Sequence, residues 1–246
     1  MSGKTKIEWT EMSWNPVTGC TKISPGCMNC YAEKFAFRLQ RMGVKQYKNG
    51  FKVTLQRNAL KAPYTWKSPR RVFVNSMSDL FHKDIPLSYI KEVFNVMNDC
   101  KHIQFQILTK RSERLLELND KLNWSDNIWM GVTVEMNEYV YRIKELKEID
   151  SKIKFISFEP LLGPIGRISL KGIDWVIVGG ESGAGARPIK EEWVLKLRDM
   201  SEKESIPFFF KQWGGFNKHK TGKLLEGKIY NDYPVKSEPI YSYIGK

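Results

Sequence analysis

The 246-residue sequence has no run of 18 or more apolar residues, which excludes a transmembrane helix of ordinary length. It also lacks the apolar amino-terminal stretch of a signal peptide, internal repeats and low-complexity tracts. Acidic residues are fewer than basic ones, 27 against 40, and the formal net charge is +13. We therefore expect a soluble, cytoplasmic protein without a membrane partner. Its basic excess suits a polyanion such as DNA or RNA, although a solvated lysine-rich surface gives the same total.

Short apolar runs alternate with stretches of helical periodicity along most of the chain. The runs have strand length and are rich in β-branched and aromatic residues; they lie at residues 71–75, 103–109, 128–134, 153–158, 175–179 and 207–211. Helical spacing is found at residues 31–42, 87–101, 112–122, 138–149 and 191–204. This βαβα order predicts an α/β fold with mostly parallel strands, arranged as a partial (β/α)6–7 barrel of the TIM-like type.

The barrel is expected at residues 1–216, followed by an irregular appendage at residues 217–246. The link at residues 162–174 is short and glycine-rich, so we expect a reduced crossover helix there. Polar residues, glycines or aromatic residues follow nearly every predicted strand, at residues 75–79, 109–111, 133–135, 157–160, 179–183 and 211–215. Because the carboxyl ends of parallel strands meet at one edge of the sheet, these segments are expected to form one mouth.

Three of the four cysteines, Cys20, Cys27 and Cys30, lie close together with the spacing C-x6-C-x2-C. In a cytosolic chain, clustered thiols are more typical of a metal or redox site than of disulfides. Three thiolates leave one iron of a 4Fe-4S cluster open for a substrate or cofactor, whereas structural zinc needs a fourth ligand. The candidates for a fourth ligand are all distant in sequence: Cys100, His82, His102 and His219. The count favours the iron–sulfur cluster, with zinc or three plain thiols as alternatives.

Basic and aromatic residues also occur at the predicted strand ends. Lys110, Arg111 and Lys211 end strands, and Trp213 follows. Cations beside exposed aromatic rings are typical of sites that bind single-stranded nucleic acids or nucleotides. The glycine-rich segment at residues 179–187 predicts a backbone N–H cradle for an anion or a tight turn, with Arg187 as a cation. We interpret His82 as a surface or hydrogen-bonded histidine.

The residues around the cysteines resemble the cluster loop of radical S-adenosylmethionine (SAM) enzymes. Cys30 is followed by an aromatic residue, Tyr31, as in the spore photoproduct lyase type of these enzymes, which acts on DNA. A wider pattern, WTEMSWNPVTGC at residues 9–20, SPGCMNCYAE at residues 24–33, FEPL at residues 158–161 and GGESG at residues 179–183, resembles a phage- and prophage-associated three-cysteine-motif family described as radical-SAM-like. That second resemblance extends from about residue 6 to residue 215.

The resemblance implies roles for particular residues. Cys20, Cys27 and Cys30 would hold the cluster, and its open iron would bind the amino and carboxylate groups of SAM. The residues in the positions that contact SAM would be Asn75, Ser76, Ser78, Thr133, Glu135, Ser157, Glu159, Gly179, Gly180 and Glu181. The residues expected to contact the substrate are Tyr31, Lys110, Arg111, Arg187, Lys211 and Trp213. The sequence identifies no catalytic residue, and the chemistry would need an external electron donor.

Two departures from the radical SAM pattern leave alternatives open. The usual cysteine spacing is C-x3-C-x2-C, and the Gly-Gly-Glu segment expected after the second strand occurs instead at residues 179–181. Our leading hypothesis is an iron–sulfur enzyme that uses SAM and acts on nucleic acid or a nucleotide-like anion. The alternatives are a cluster enzyme whose open iron binds the substrate directly, and a non-catalytic nucleic-acid-binding protein with a structural metal site.

Overall fold

The computed structural model describes residues 2–234 of the chain. The strands are β1 (Ser2–Lys4), β2 (Met12–Trp14), β3 (Val17–Thr18), β4 (Thr54–Leu55), β5 (Arg70–Val74), β6 (Ile103–Thr109), β7 (Ile128–Thr133), β8 (Ile153–Phe158), β9 (Trp175–Gly179) and β10 (Phe208–Gln212). The α-helices are α1 (Tyr31–Arg41), α2 (Arg57–Leu60), α3 (Leu87–Asp99), α4 (Ser112–Leu118), α5 (Tyr141–Lys147), α6 (Glu191–Lys203) and α7 (Lys218–Thr221). None of the helices in this part of the chain has the length and apolarity needed to cross a membrane.

Seven strands form a parallel sheet in the order β2-β5-β6-β7-β8-β9-β10, and β1 adds an antiparallel edge next to β2. From β5 onwards the strands follow one another in chain order, with α3, α4, α5 and α6 between them. Because each connection between parallel strands turns in the same direction, the helices lie on one face of the sheet and the sheet curves away from them. The predicted partial barrel of parallel strands is confirmed. The sequence predicts a reduced crossover helix between β8 and β9, and the structure goes further, because this link contains no helix at all.

The two faces of the sheet are both apolar but pack differently. Alternate strand residues, such as Phe105 and Met130, pack against the helices. The concave face carries an aromatic cluster made of Trp9, Phe73, Trp129, Phe155, Trp175 and Phe209. Gly131 leaves room for the ring of Phe155, since a Cβ at position 131 would lie 2.5 Å from it. The rings fill the concave face below its carboxyl edge, so the remaining space lies at that edge.

Residues 217–234, the described part of the predicted appendage, pack on the barrel. The ring of Tyr233 lies 5.0 Å from the ring of Trp175, and the backbone carbonyl of Asp232 accepts a hydrogen bond from the Trp175 indole at 2.8 Å. Trp175 is the first residue of β9, so this segment covers the amino end of the barrel. The rest of the predicted appendage, residues 235–246, lies outside the described residues.

Candidate functional site

The three clustered cysteines lie in a loop at the carboxyl edge of the sheet, which we call the cysteine loop (residues 19–30). The antiparallel pair β3–β4 closes the base of the longer excursion that holds this loop and α1. Gly19 forms a bridge with Ser78, which follows β5. Cys27 ends a turn of 3-10 helix at Pro25–Cys27, and Cys30 immediately precedes α1. All three cysteines are half-buried.

The environment of two of the thiols, Cys20 and Cys30, opposes their ionisation. Burial raises the pKa of the Cys20 thiol to about 12, and Asp79 adds to the rise whereas Arg111 opposes it. Burial also raises the pKa of the Cys30 thiol. Cys20 and Cys30 are therefore protonated near neutral pH when free, and a bound metal must displace their protons.

The position of Cys100 bears on whether the donor set suits zinc or an iron–sulfur cluster. Cys100 lies buried at the amino end of β6, and β6 spans about 20 Å, so Cys100 is remote from Cys20. Within residues 2–234, no three His, Cys, Asp or Glu side chains form a group that could hold a single metal ion. Each thiolate of a 4Fe-4S cluster binds a different iron, so its ligands lie farther apart than those of zinc. Three thiols in one loop, with Cys100 remote from them, fit a cluster with one open iron better than they fit zinc.

Glu135 follows β7 and is fully buried against the cysteine loop. Its carboxylate accepts hydrogen bonds from the Ser24 hydroxyl at 2.5 Å and from Arg142 at 2.9 Å, and it pairs with Lys110 at 2.9 Å. Burial raises the pKa of Glu135, but the two cations and Ser24 outweigh it and hold the pKa below its usual value. A Cβ on Gly26 would lie 2.5 Å from this carboxylate. The side chain of Glu135 thus fastens the loop to the end of β7.

Glu181 and Arg187 fasten the cysteine loop from β9. Arg187 donates hydrogen bonds to both carboxylate oxygens of Glu181, at 2.5 and 2.9 Å, and to the carbonyl of Pro25 at 2.9 Å. Asn29 donates to Glu181 at 3.0 Å. Burial raises the pKa of Glu181, but the hydrogen bonds from Arg187 and Asn29 outweigh it and hold the pKa at about 2. The charge of Arg187, which the sequence assigned to the substrate, is neutralised by Glu181 here.

Arg111 and His82 hold the loop next to the first cysteine. Nη2 of Arg111 donates to the carbonyl and hydroxyl of Thr21, both at 3.0 Å, and lies 3.8 Å from Sγ of Cys20. His82 is fully buried and hydrogen-bonded. Its Nδ1 accepts from the backbone N–H of Asp84 at 3.1 Å, so the proton lies on Nε2, which donates to the Thr21 hydroxyl at 2.8 Å. Burial beside Arg111 lowers the pKa of His82.

Thr133, Ser157 and Gly179 lie on the concave face of three adjacent strands, near the carboxyl edge. Thr133 is the direct neighbour of Ser157 in the register of β7 and β8. Ser157 is 1% exposed, and its hydroxyl has no hydrogen-bond partner within residues 2–234. Glu159 accepts a hydrogen bond from Lys211 at 2.5 Å. This part of the face therefore combines an ion pair with a buried hydroxyl that a ligand can satisfy.

The segment after β5 is bonded mainly to the chain that leads into the cysteine loop. The Asn75 side-chain oxygen accepts from the backbone N–H of Val17 at 3.2 Å, and the Ser78 hydroxyl donates to the Val17 carbonyl at 2.9 Å. The carbonyl of Ser76 accepts from the hydroxyl of Tyr31 at 2.5 Å. Asn75, Ser76 and Ser78, which the resemblance places among the residues that contact SAM, thus have protein partners in this structure.

Trp213 and Gly180, two of the predicted site residues, lie against each other in the structure. The ring of Trp213 packs on Phe210 at 4.8 Å, and its indole donates to the carbonyl of Leu224 at 2.8 Å, so it points away from the cysteine loop. A Cβ on Gly180 would lie 2.0 Å from the Trp213 carbonyl oxygen, so the close approach of these backbones requires glycine. The structure therefore does not bring Trp213 together with the other predicted substrate residues.

Several residues that hold the cysteine loop were not identified from the sequence. They are Ser24, Asn29, His82 and Arg142. Arg142 lies within a predicted helix, where an arginine usually faces solvent, yet it is 1% exposed and bonded to Glu135. Ser24 and Asn29 lie between the cysteines, but nothing in their type distinguishes a loop anchor from an ordinary polar residue.

The fold is similar to that of spore photoproduct lyase. A cysteine-to-serine mutant of that lyase matches with a TM-score of 0.51 at 11% identity, over 86% of this chain and 78% of the lyase chain. A cysteine-to-alanine mutant with dinucleoside spore photoproduct matches with a TM-score of 0.50 at 11% identity, over 82% and 64%. A double mutant with bound AdoMet and the same photoproduct matches with a TM-score of 0.48, and this chain spans 58% of its length. At such identities the likeness establishes the fold class, a TIM-like α/β barrel.

The chain belongs to a family described as a protein of unknown function, DUF5131, whose model matches residues 4–234. No curated protein sequence matches the chain. The resemblance to a phage-associated three-cysteine-motif family stays a prediction.

Proposed function

We propose that this protein is a radical SAM enzyme that binds a 4Fe-4S cluster through Cys20, Cys27 and Cys30 and receives electrons from an external donor. The observation that carries the proposal is a three-cysteine loop at the carboxyl edge of a partial parallel barrel, with Cys100 at the opposite edge. Active sites of such barrels are built at the carboxyl edge. When bound to the open iron, SAM supplies on reductive cleavage a radical that abstracts hydrogen.

We assign the binding of the SAM ribose to Thr133 and Ser157. The Ser157 hydroxyl is buried without a partner in the described residues and lies beside Thr133, so a ribose hydroxyl would satisfy it. The aromatic rings of Trp129 and Phe155 lie on the same concave face and keep water out from below. Gly179 follows on the next strand and adds no side chain to this space.

We assign the substrate to the nucleic acids, or to another nucleotide-like anion. Helix α1 begins directly after Cys30, and its residues Tyr31 and Phe35, one helical turn apart, are 56% and 43% exposed. Arg38 is exposed on the same face of the helix. Exposed rings beside cations stack on bases and attract phosphates. Lys110, paired with Glu135, and Arg111, 3.8 Å from Sγ of Cys20, add basic groups next to the cysteine loop. The net charge of +13 supports the same substrate class.

A second candidate is a cluster enzyme whose open iron binds the substrate directly. The observation that favours it is that Asn75, Ser76 and Ser78, which the resemblance places among the residues that contact SAM, are bonded to other parts of the protein. The cysteine spacing, longer than usual by three residues, points the same way.

Metal analysis of protein purified without oxygen tests the cluster. We expect about four iron and four sulfide per chain, because the ligand set suits a 4Fe-4S cluster. Cys27→Ala should lose both, and the matched control Cys100→Ala should keep both. One zinc without sulfide, or loss of metal in Cys100→Ala, would contradict the proposal. The zinc result would instead support the alternative of a non-catalytic nucleic-acid-binding protein with a structural metal site.

A further inference from the structure

A cavity lined mainly by basic side chains lies beside the cysteine loop. A cavity of about 290 Å³ opens between the segment after β6, the loop after β5, the start of α5 and Ile23 of the cysteine loop. Its charged lining residues are Lys83, Lys110, Arg111, Arg114, Arg142 and Glu113. Five of these six are cations, so the cavity is built for an anion.

The carboxylates around the cavity do not balance its cations. Glu135 pairs with Lys110 and Arg142, and Asp79 lies 3.8 Å from Arg111. Counting these two carboxylates and the exposed Glu113 against the five cations leaves 5 − 3 = +2.

Two of the cations are not paired with acids. Arg114 is held by the backbone carbonyls of His82 and Ile85. Lys83 is exposed at the entrance, and within the described residues no carboxylate lies within 4.0 Å of Lys83 or of Arg114. The excess positive charge of the cavity therefore resides largely on these two side chains.

Buried polar atoms of the lining also lack partners. The hydroxyl of Ser112, a residue that is 1% exposed, has no hydrogen-bond partner in residues 2–234. The Nε atoms of Arg111 and Arg142 likewise have none there, and Arg142 is 1% exposed. Nε of Arg111 faces a carboxylate oxygen of Asp79 at 3.8 Å. The Ser112 hydroxyl and Nε of Arg142 are therefore the two buried groups beside this basic cavity that lack an acceptor in the described part of the chain, and buried donors are normally satisfied.

We propose that this cavity binds a phosphate group of a single-stranded nucleic acid. Arginine and lysine together with a hydroxyl are the groups that bind phosphate oxygens. The volume is close to the lower limit of small-ligand pockets, about 300 Å³, and holds a phosphate with its sugar. Tyr141 and Ile23, 39% and 41% exposed, provide apolar surface for the sugar or a base. The choice of a nucleic-acid strand as the source of the phosphate rests on the proposed function.

Arg111 links this cavity to the cysteine loop. It lines the cavity, and its Nη2 donates to Thr21 and lies 3.8 Å from Sγ of Cys20. A phosphate at Arg111 is thus adjacent to the loop that holds the cysteines. A strand held there would present a neighbouring nucleotide to the mouth of the barrel.

The test measures binding of a fluorescent single-stranded oligonucleotide by anisotropy at several salt concentrations. The double variant Lys83→Ala/Ser112→Ala removes an exposed cation and an unpartnered hydroxyl, so the fold should be preserved. We expect at least tenfold weaker binding. The slope of log affinity against log salt concentration should also become less steep, by the equivalent of about one phosphate contact. The control Lys203→Ala removes the same charge from an exposed position at the end of α6 and should leave binding unchanged.

Competition with inorganic phosphate and with a mononucleotide identifies the source of the phosphate. If the double variant binds the oligonucleotide more weakly than the wild type does, the strand is supported as the source of the phosphate. If the double variant is impaired only in its binding of the mononucleotide, the assignment to a strand is overturned. Equal oligonucleotide binding by all variants would overturn the site itself. Iron and sulfide content and the spectral response to SAM are measured on the same samples, so a failure of the proposed cluster function is recognised separately.

Discussion

The hydroxyl of Ser24 donates a 2.5 Å hydrogen bond to the carboxylate of Glu135, joining the cysteine loop to the end of β7. Glu181 makes the corresponding connection from β9, through Arg187 to the carbonyl of Pro25. The loop is therefore held on two sides by buried carboxylates that belong to the barrel. Such anchoring holds the segment between Cys20 and Cys27 in place, as the proposed cluster site would require.

Removing the charge of Glu135 should loosen the loop. Glu135→Gln leaves Lys110 and Arg142 without their buried partner, and the free energy of unfolding should fall by about 3 kcal/mol. Iron content should fall as well, because the hydrogen-bond partner of Ser24 is weakened. Urea unfolding and iron analysis check both. The exposed Glu138 provides the control Glu138→Gln, and an equal loss of iron in the two variants would argue against a specific role of Glu135.

Glu181 should make stability depend on pH in the acid range. Its folded pKa of about 2 lies below the ordinary value of 4.5, so its contribution is complete above pH 4.5 and is lost as the pH falls towards 2. The difference in unfolding free energy between the wild type and Glu181→Gln should therefore be larger at pH 5 than at pH 3. A difference that is independent of pH would show that Glu181 titrates normally.

Ser157 should matter for the cofactor and not for the fold. Ser157→Ala removes a buried hydroxyl that has no partner in the described residues, so stability should stay the same or rise, by up to about 1 kcal/mol. SAM binding should weaken about tenfold, as measured by titration of the loaded protein. The control Ser151→Ala lies at the opposite end of β8 and removes a hydroxyl bonded to the carbonyl of Ile128. It should lower stability and leave SAM binding unchanged; the reverse pattern would refute the assignment of Ser157.

Arg111 should help to retain the cluster. Arg111→Gln removes hydrogen bonds to Thr21 and a cation 3.8 Å from Sγ of Cys20, so we expect cluster affinity to fall about tenfold. The rate at which a chelator removes iron measures this effect. Arg38→Gln changes an exposed arginine on α1 and should release iron at the rate of the wild type. If both variants lose iron equally fast, the contact with the cysteine loop is unimportant.

The central strands could be predicted from sequence because they are continuous apolar runs. β6, β8 and β9 have the predicted bounds. The strands β1 to β4 contain only two or three residues each and exist through pairing with distant segments, so no local pattern marks them. The predicted helix at residues 138–149 is shorter in the structure, where α5 covers Tyr141–Lys147 after a 3-10 turn.

The position of the site could be predicted better than its internal contacts. The order of strands and helices was enough to place the cysteines and the strand-end carboxylates at one edge. The partners of those carboxylates come from tertiary contacts between remote segments, such as Asn29 with Glu181 across 152 positions. For the same reason, the sequence could not reveal that Arg142 is buried or that Trp213 faces the carboxyl-terminal segment.

The electron paramagnetic resonance spectrum of the reduced protein, prepared without oxygen and recorded with and without SAM, tests whether the chain holds a cluster that SAM reaches. We predict the signal of a reduced 4Fe-4S cluster that changes when SAM is added, because the proposed function has SAM binding the open iron. The Cys100→Ala protein should give the same two spectra. A cluster signal that SAM leaves unchanged would contradict SAM binding and favour direct ligation of the substrate. The absence of any cluster signal would contradict both the cluster and the proposed radical SAM enzyme.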